Sequence, residues 1–326
     1  MLACAEMILG GTTTFCDMYL FEDQVARAAH EAGIRALVGE VLYDFPSPNY
    51  GSPEQGLAFT KDLIRAWEND PLVSVAVEPH AVYTCSPDLL RACNEVAEGY
   101  QVPMIIHLSE SEDEVAQVKE RYSTSPVMHL EKLGLLTPHL IADHCVVLDD
   151  EEMDLLAERG VRVVHNPESN MKLASGVAPA VELLDRGVIM GLGTDGCASN
   201  NNLDMFGEMD TAAKLHKVYR LDPTVMGART VAQLAVRGGS KVLGLENQVG
   251  CLEPGKKADI IGLDLDRPHL TPLYNIYSHL VYAASAADVT LNIINGRVVM
   301  RNRELLTLDV ERIMADVRAI AKRIKQ

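Results

Sequence analysis

The sequence contains no Cys-x-x-Cys pair, and its seven cysteines (Cys4, Cys16, Cys85, Cys93, Cys145, Cys197 and Cys251) are scattered through apolar runs. An odd, dispersed set argues against a disulfide framework or a thiolate zinc site and fits a reducing, cytoplasmic setting. Long apolar runs are missing as well. No stretch approaches the roughly 20 residues that a membrane helix needs, and Met1–Gly10 lacks the basic start and long apolar core of an export signal. Positive charge is scarce: Lys and Arg total 29 against 46 Asp and Glu, a formal net charge of -17. Such a surface repels nucleic-acid backbones and anionic lipids, so neither nucleic acid nor membrane is expected as a partner. Short-period repeats and low-complexity linkers are absent too.

What remains is 326 residues, 48% of them hydrophobic, enough for one large α/β domain plus an appendage. Short apolar or β-branched runs recur at Thr12–Cys16, Arg35–Val41, Val73–Val77, Pro103–His107, Leu140–His144, Arg162–His165 and Ile189–Thr194, each followed by a polar turn. Alternation with helical patterns predicts β-α units around a parallel sheet. Helix starts are marked by Ser86-Pro87-Asp88 before Leu89 and by Asp149-Asp150 before Glu151. Seven runs are one short of a closed eight-stranded barrel, and the chain opens on a helix-like segment, Leu2–Leu9, closed by Gly10-Gly11. The expected fold is a TIM-type (β/α)8 barrel lacking its first strand, with a doubly wound open sheet as the alternative. Beyond it, Ile260–Leu263 and a Val289–Ile294/Arg297–Met300 hairpin turning at Asn295-Gly296 predict a small β appendage packed on the barrel. The expected division is an incomplete barrel over 1–248, a partial β-sandwich over 249–302 and a C-terminal helix over 303–326.

Strand ends of a barrel converge on one mouth, so polar residues that repeatedly end apolar runs are candidates for a shared site. Ile105-Ile106 leads into His107 and, three residues on, Glu110; Ala142-Asp143 leads into His144; Val163-Val164 leads into His165; Gly191-Leu192-Gly193-Thr194 leads into Asp195. A single histidine at a strand end is most often a satisfied core or loop residue, and Asp-Gly is a common turn; the series is what carries the signal. Neutral imidazole and carboxylate suit Zn²⁺ or Fe²⁺, and a catalytic metal keeps an open position for water. His107 and Asp195 are candidate ligands, with His144 placed to act on the water.

The segments Gly10–Met18, Pro79–Ser86, His107–Glu110, His144–Val146, His165–Gly176 and Gly193–Asn201 together resemble the 5-methylthioadenosine/S-adenosylhomocysteine deaminases of the amidohydrolase superfamily. The resemblance spans almost the whole chain and implies a metal-dependent hydrolase. It implies that His107 and Asp195 bind one divalent metal, Zn²⁺ first and Fe²⁺ or Mn²⁺ otherwise. It further implies that Glu110 handles a proton at the ring nitrogen, that His144 positions the hydrolytic water, and that Asp195 takes its proton. His80, Glu110 and Asp195 would contact a small-molecule nucleoside, while His165 shapes the pocket. The expected reaction is hydrolytic deamination of 5-methylthioadenosine, S-adenosylhomocysteine, 5-deoxyadenosine or adenosine to the inosine analogue and ammonia. Related hydrolases of triazine, guanine or cytosine rings are the rival enzymes; Glu110 favours ammonia release over them. The rival of another class is a metal-less nucleoside-binding protein.

The sequence departs from this family in two respects. Members carry a His-x-His pair, giving two further ligands, at the end of the first barrel strand, and no His-x-His occurs here. The chain therefore reads as a family member entered after that strand, with weak metal binding and impaired turnover, since a complete structural zinc shell is worth about 10–16 kcal/mol. Gly39–Gly51 also contains no arginine, the natural partner of a substrate-tail carboxylate, so S-adenosylhomocysteine is less favoured than the smaller nucleosides. Barrels of this kind often form homo-oligomers, yet no coiled-coil or other interface pattern stands out.

Overall fold

The computed structural model describes residues 1–324. Helix α1 (Leu2–Gly10) is followed by a run of parallel strands: β1 (Thr14–Tyr19), β2 (Arg35–Leu42), β3 (Val73–Val75), β4 (Glu78–Pro79), β5 (Met104–Leu108), β6 (Leu140–His144), β7 (Arg162–His165) and β8 (Ile189–Leu192). Between them lie α2 (Glu22–Ala32), α3 (Pro53–Trp67), α4 (Pro87–Tyr100), α5 (Glu112–Tyr122), α6 (Pro126–Leu133), α7 (Asp150–Arg159), α8 (Pro167–Lys172) and α9 (Ala180–Asp185). After β8 come α10 (Met205–Arg220), α11 (Ala228–Gln233) and α12 (Gly239–Val242).

β1 pairs with β2, which pairs with both β3 and β4, while β5 to β8 pair in chain order. Bridges from Val77 to Met104 and from Ala81 to His107 join the two sets, so β3 and β4 share one place in a continuous parallel array. This is the α/β arrangement that the alternating runs predict. The run Val73–Val77 becomes two short strands because Val77 leaves β2 to bridge Met104. The first strand starts later than read from the sequence, since Gly11, at φ 88, ends α1 with a Schellman-type turn whose amides reach back to Met7 and Ile8.

Both faces of the array are apolar, as a parallel sheet covered by helices requires. Val38, Ile106, Ala142 and Val163 join Ala29, Leu90 and Leu156 from the helices in the main core. The alternate residues Leu37, Ile105 and Ile141, with Ala76 and Val242, form a second small cluster. Strand β2 is buried along its whole length. The outer strands differ: among the described residues β1 has one neighbour and leaves Cys16 and Tyr19 exposed, and β8 pairs only with β7 and exposes Ile189. These two strands are open edges. No helix among the described residues is long and apolar enough to cross a membrane.

The helices start on the residues that accept orphan amides. Ser52 and Asp149 form capping boxes with Gln55 and Glu152, and Ser86, Ser111 and Ser125 each accept from the amide three residues on.

The appendage is one antiparallel sheet, β12-β11-β10-β9, of β9 (Ile260–Leu263), β10 (Val289–Ile294), β11 (Arg297–Arg301) and β12 (Glu304–Leu305). Helix α13 (Ile276–Tyr282) interrupts it and α14 (Val310–Ile324) follows. The hairpin turns at Asn295 and Gly296, φ 50 and 80, the left-handed pair that a tight two-residue turn demands. The sheet runs past residue 302, and the final helix begins at Val310 instead of 303, because Glu304 and Leu305 extend the ladder opposite Met300 and Arg301; residues 325–326 of that expected helix lie outside the described residues. The appendage is pinned down. Arg35 of β2 and Asp259 form a buried pair at 2.9 Å, and the Asn292 amide donates to the carbonyls of Ile8 and Thr12 at 3.0 and 3.2 Å.

Candidate active site

His107 lies two residues beyond Ile105 on β5, so it shares the face of the small inner cluster. Its Nδ1 is bonded to the His80 carbonyl at 3.0 Å, which makes Nδ1 the protonated nitrogen and leaves the Nε2 lone pair free. His80 sits just after β4, donates its backbone N–H to Leu42 and receives that of His107. Its ring lies 5.0 Å from that of His107 and its Nδ1 is 2.9 Å from Thr84 Oγ1. Burial, and then His107, push His80 down to about 4.

His144 breaks strand alternation. Its parity puts it with Ala142, on the helix-facing side, yet its φ of 70 and that of Cys145, 48, turn the chain over. The His144 ring thereby stacks on that of His107 at 5.5 Å. Its Nδ1 is 2.9 Å from Asn170 Oδ1, and its Nε2 faces Glu110 Oε2 at 3.9 Å. Glu110 is presented by a similar turn: Ser109 has φ 51, and the buried Glu114 carboxylate accepts the amides of Ser109 and Glu110 at 3.1 and 2.7 Å. Burial pushes Glu114 up to about 7 in spite of these two donors. Left-handed backbone at non-glycine residues is costly, and it gathers here at Ser109, His144, Cys145 and Asp195.

Asp195 follows β8, with φ 58. One carboxylate oxygen accepts the Ser169 hydroxyl at 2.6 Å and the other the Gly196 amide at 2.5 Å. No hydrogen bond or ion pair joins it to His80, His107 or His144 among the described residues. The structure thus gathers His80, His107, His144 and Glu110 at neighbouring strand ends, while Asp195 follows β8 and is held by Ser169. His165 belongs to the interior: its Nε2 is 2.9 Å from that of His216, and burial, followed by the His216 charge, drives it down to about 3.

The sequence reading missed Glu114, Ser169, Asn170 and Ser175, and also Asp143, which burial pushes up to about 6. The one available signal was Asp143, which shares the parity of Ile141 and so the inner face.

The donor chemistry fits a divalent ion in kind, since the free Nε2 of a backbone-oriented imidazole and a carboxylate are ligands that zinc accepts. It falls short in number. Among the described residues no group of three or more His, Cys, Asp or Glu is placed to hold a metal ion.

The chain belongs to the amidohydrolase family, whose model matches residues 1–299. A 5-methylthioadenosine/S-adenosylhomocysteine deaminase of Syntrophobacter fumaroxidans is 63% identical over 325 residues, covering 100% of this chain and 74% of the relative. A 5'-deoxyadenosine deaminase of Methanosarcina barkeri is 44% identical over 326 residues, covering 99% and 74%. Among solved structures, a zinc-bound adenosine deaminase from Xanthomonas campestris superposes with a TM-score of 0.97 at 41% identity, covering 99% of this chain and 74% of that one. A zinc-bound atrazine chlorohydrolase from Arthrobacter aurescens gives 0.91 at 27% identity, covering 97% and 75%. The resemblance read from the motifs is borne out.

Proposed function

We propose that this chain catalyses hydrolytic deamination of an adenosine analogue, releasing the inosine analogue and ammonia. The observation that carries the reading is the contact sequence at the strand ends: Glu110 faces His144, which stacks on His107. Glu110 donates a proton to the ring nitrogen while water adds to the carbon bearing the amino group; His144 holds that water and Asp195 takes its proton. Asp195 passes that proton to the amino group, the C–N bond breaks with its electron pair going to nitrogen, and ammonia leaves as the hydroxyl gives its proton back to Glu110 and the ring carbonyl forms. His107 and Asp195 are the chain's ligands for one divalent metal, zinc by donor type, whose chemistry when bound is to acidify water. His80, with Glu110 and Asp195, contacts the nucleoside.

The parallel array fits the wall of a (β/α) barrel open between β8 and β1, with domains divided near 248 and 302. The negative charge and dispersed cysteines fit a cytoplasmic setting. Within the substrate class, the smaller nucleosides are favoured. The segment 39–51 offers no arginine to a tail carboxylate and instead buries Glu40.

A panel of 5-methylthioadenosine, S-adenosylhomocysteine, 5-deoxyadenosine, adenosine, guanine, cytosine and a chlorotriazine, followed by ultraviolet absorbance in excess zinc, tests the reading. Turnover confined to the adenosine analogues supports it. Preference for another ring replaces it with a related hydrolase, and tight nucleoside binding without turnover replaces it with a binding protein.

A further inference from the structure

Three side chains within seven residues each hold a different proton-handling group. Ser169 Oγ donates to Asp195 at 2.6 Å, Asn170 Oδ1 lies 2.9 Å from His144 Nδ1, and Ser175 Oγ donates to Glu110 at 3.3 Å. Ser169 and Asn170 lie on α8, just after β7, and Ser175 lies in the loop that follows it. We propose that residues 166–176 form an orienting segment for the reaction, in which Asn170 is a positioning residue that fixes the tautomer of His144. The inference rests on the functional reading for the roles of Glu110, His144 and Asp195.

The segment is built to be stiff. Ser169 and Asn170 are buried, so their bonds meet no competing water and gain strength in a low dielectric. The Asn170 amide donates to Asn166 and its carbonyl receives the Ser175 amide. The Glu168 carboxylate accepts from Thr211 and Asn202, and Lys172 donates to the Ala198 carbonyl. These contacts reach α10 and the loop that carries Asp195, so the holder and the held residue share one framework. Asn166 presses its Oδ1 where a side chain on Gly193 would sit, 2.5 Å from the ideal Cβ, which keeps the β7 and β8 ends in close register.

With Oδ1 toward the ring, Asn170 accepts the hydrogen of Nδ1 and leaves the Nε2 lone pair facing Glu110. That is the tautomer which can take a hydrogen bond from water. The reverse amide orientation would present Nδ2 to the ring and select Nε2–H instead. Asn170 Nδ2 is buried without a partner, so the side chain is spent on this one bond.

The test is nitrogen-15 NMR of the histidine-labelled chain, with the His144 signal assigned through His144→Gln. The wild type is expected to show Nδ1–H. Asn170→Asp, which keeps the acceptor, retains it, and Asn170→Leu, which removes the acceptor, loses it. In parallel, Asn170→Leu is expected to lower kcat about 10–100-fold with little change in KM, as loss of a ligand's orienting partner does, and Asn170→Asp to restore most of it. An Nε2–H tautomer in the wild type, or Nδ1–H persisting in Asn170→Leu, overturns the proposal. The expected tautomer series without any deaminase turnover sinks the functional reading and the segment's part in the reaction, and leaves the Asn170–His144 tautomer assignment standing.

Discussion

Glu78 shows how far surroundings override a side chain's ordinary chemistry. It is fully buried with neither carboxylate oxygen hydrogen-bonded, and burial raises it well above the usual carboxylate range, helped by Glu22, Asp17 and Asp143. Glu22 is pushed up to about 11 and Glu208 to about 8, again by burial first. Each folded-state value lies above its unfolded one, so the folded chain binds more protons. The stability these groups contribute is present below the unfolded carboxylate pKa, about 4.3, and is lost as pH rises through the folded values. The melting temperature should therefore fall on going from pH 5 to pH 9, about the range these groups span. Glu78→Gln should flatten the fall, so that variant minus wild type grows with pH; parallel curves from calorimetry would contradict the assignment. Residues such as Glu110, His107 and His144 were legible because imidazole and carboxylate at successive strand ends are conspicuous. Ser169, Asn170 and Ser175 were not, since short polar side chains around a proline are what any turn contains.

Among the elements, β8 and the π-helical turn Leu234–Gly238 meet backbone to backbone. A Cβ on Gly238 would lie 2.2 Å from the Met190 carbonyl oxygen, and one on Gly191 would lie 3.1 Å from Gly239 Cα. Backbone cannot give way as a side chain does. Gly238→Ala should cost at least ~2 kcal/mol, read as a lower urea midpoint with unchanged slope; an unchanged midpoint would mean that the turn moves freely. Strand identity was readable from apolar runs, whereas strand ends were not. Ile189–Thr194 stops at Leu192 because Gly193 is packed under Asn166, and Val73–Val77 splits because Val77 changes partner. Both boundaries are set by neighbours far away in the chain. The reversal at His144, which brings its ring onto His107, is likewise a tertiary matter: nothing in Ala142-Asp143-His144-Cys145 announces two left-handed residues.

For the molecule as a whole, the buried Arg35–Asp259 pair ties the appendage to β2, with side chains 5% and 3% exposed. Arg35→Met leaves an unpaired buried carboxylate and should cost ~3–5 kcal/mol. The double variant with Asp259→Leu should recover much of that loss in urea unfolding, and an equal or greater loss would show that the pair does not act as a unit. The chain spans 74% of its deaminase relatives, and the two ligands proposed above, His107 and Asp195, are fewer donors than a tight site needs. Excess metal can offset weak binding by mass action, so turnover should depend on added zinc and disappear on dialysis; one tightly held ion per chain would contradict this donor count. The proposed reaction turns on Glu110 donating its proton to the ring nitrogen as water adds, before ammonia leaves. The direct measurement is ammonia release from 5-methylthioadenosine in excess zinc, wild type against Glu110→Gln. Release by the wild type and a loss of about 10²–10⁴-fold in kcat for the variant are expected; equal rates would rule out Glu110 as the proton donor.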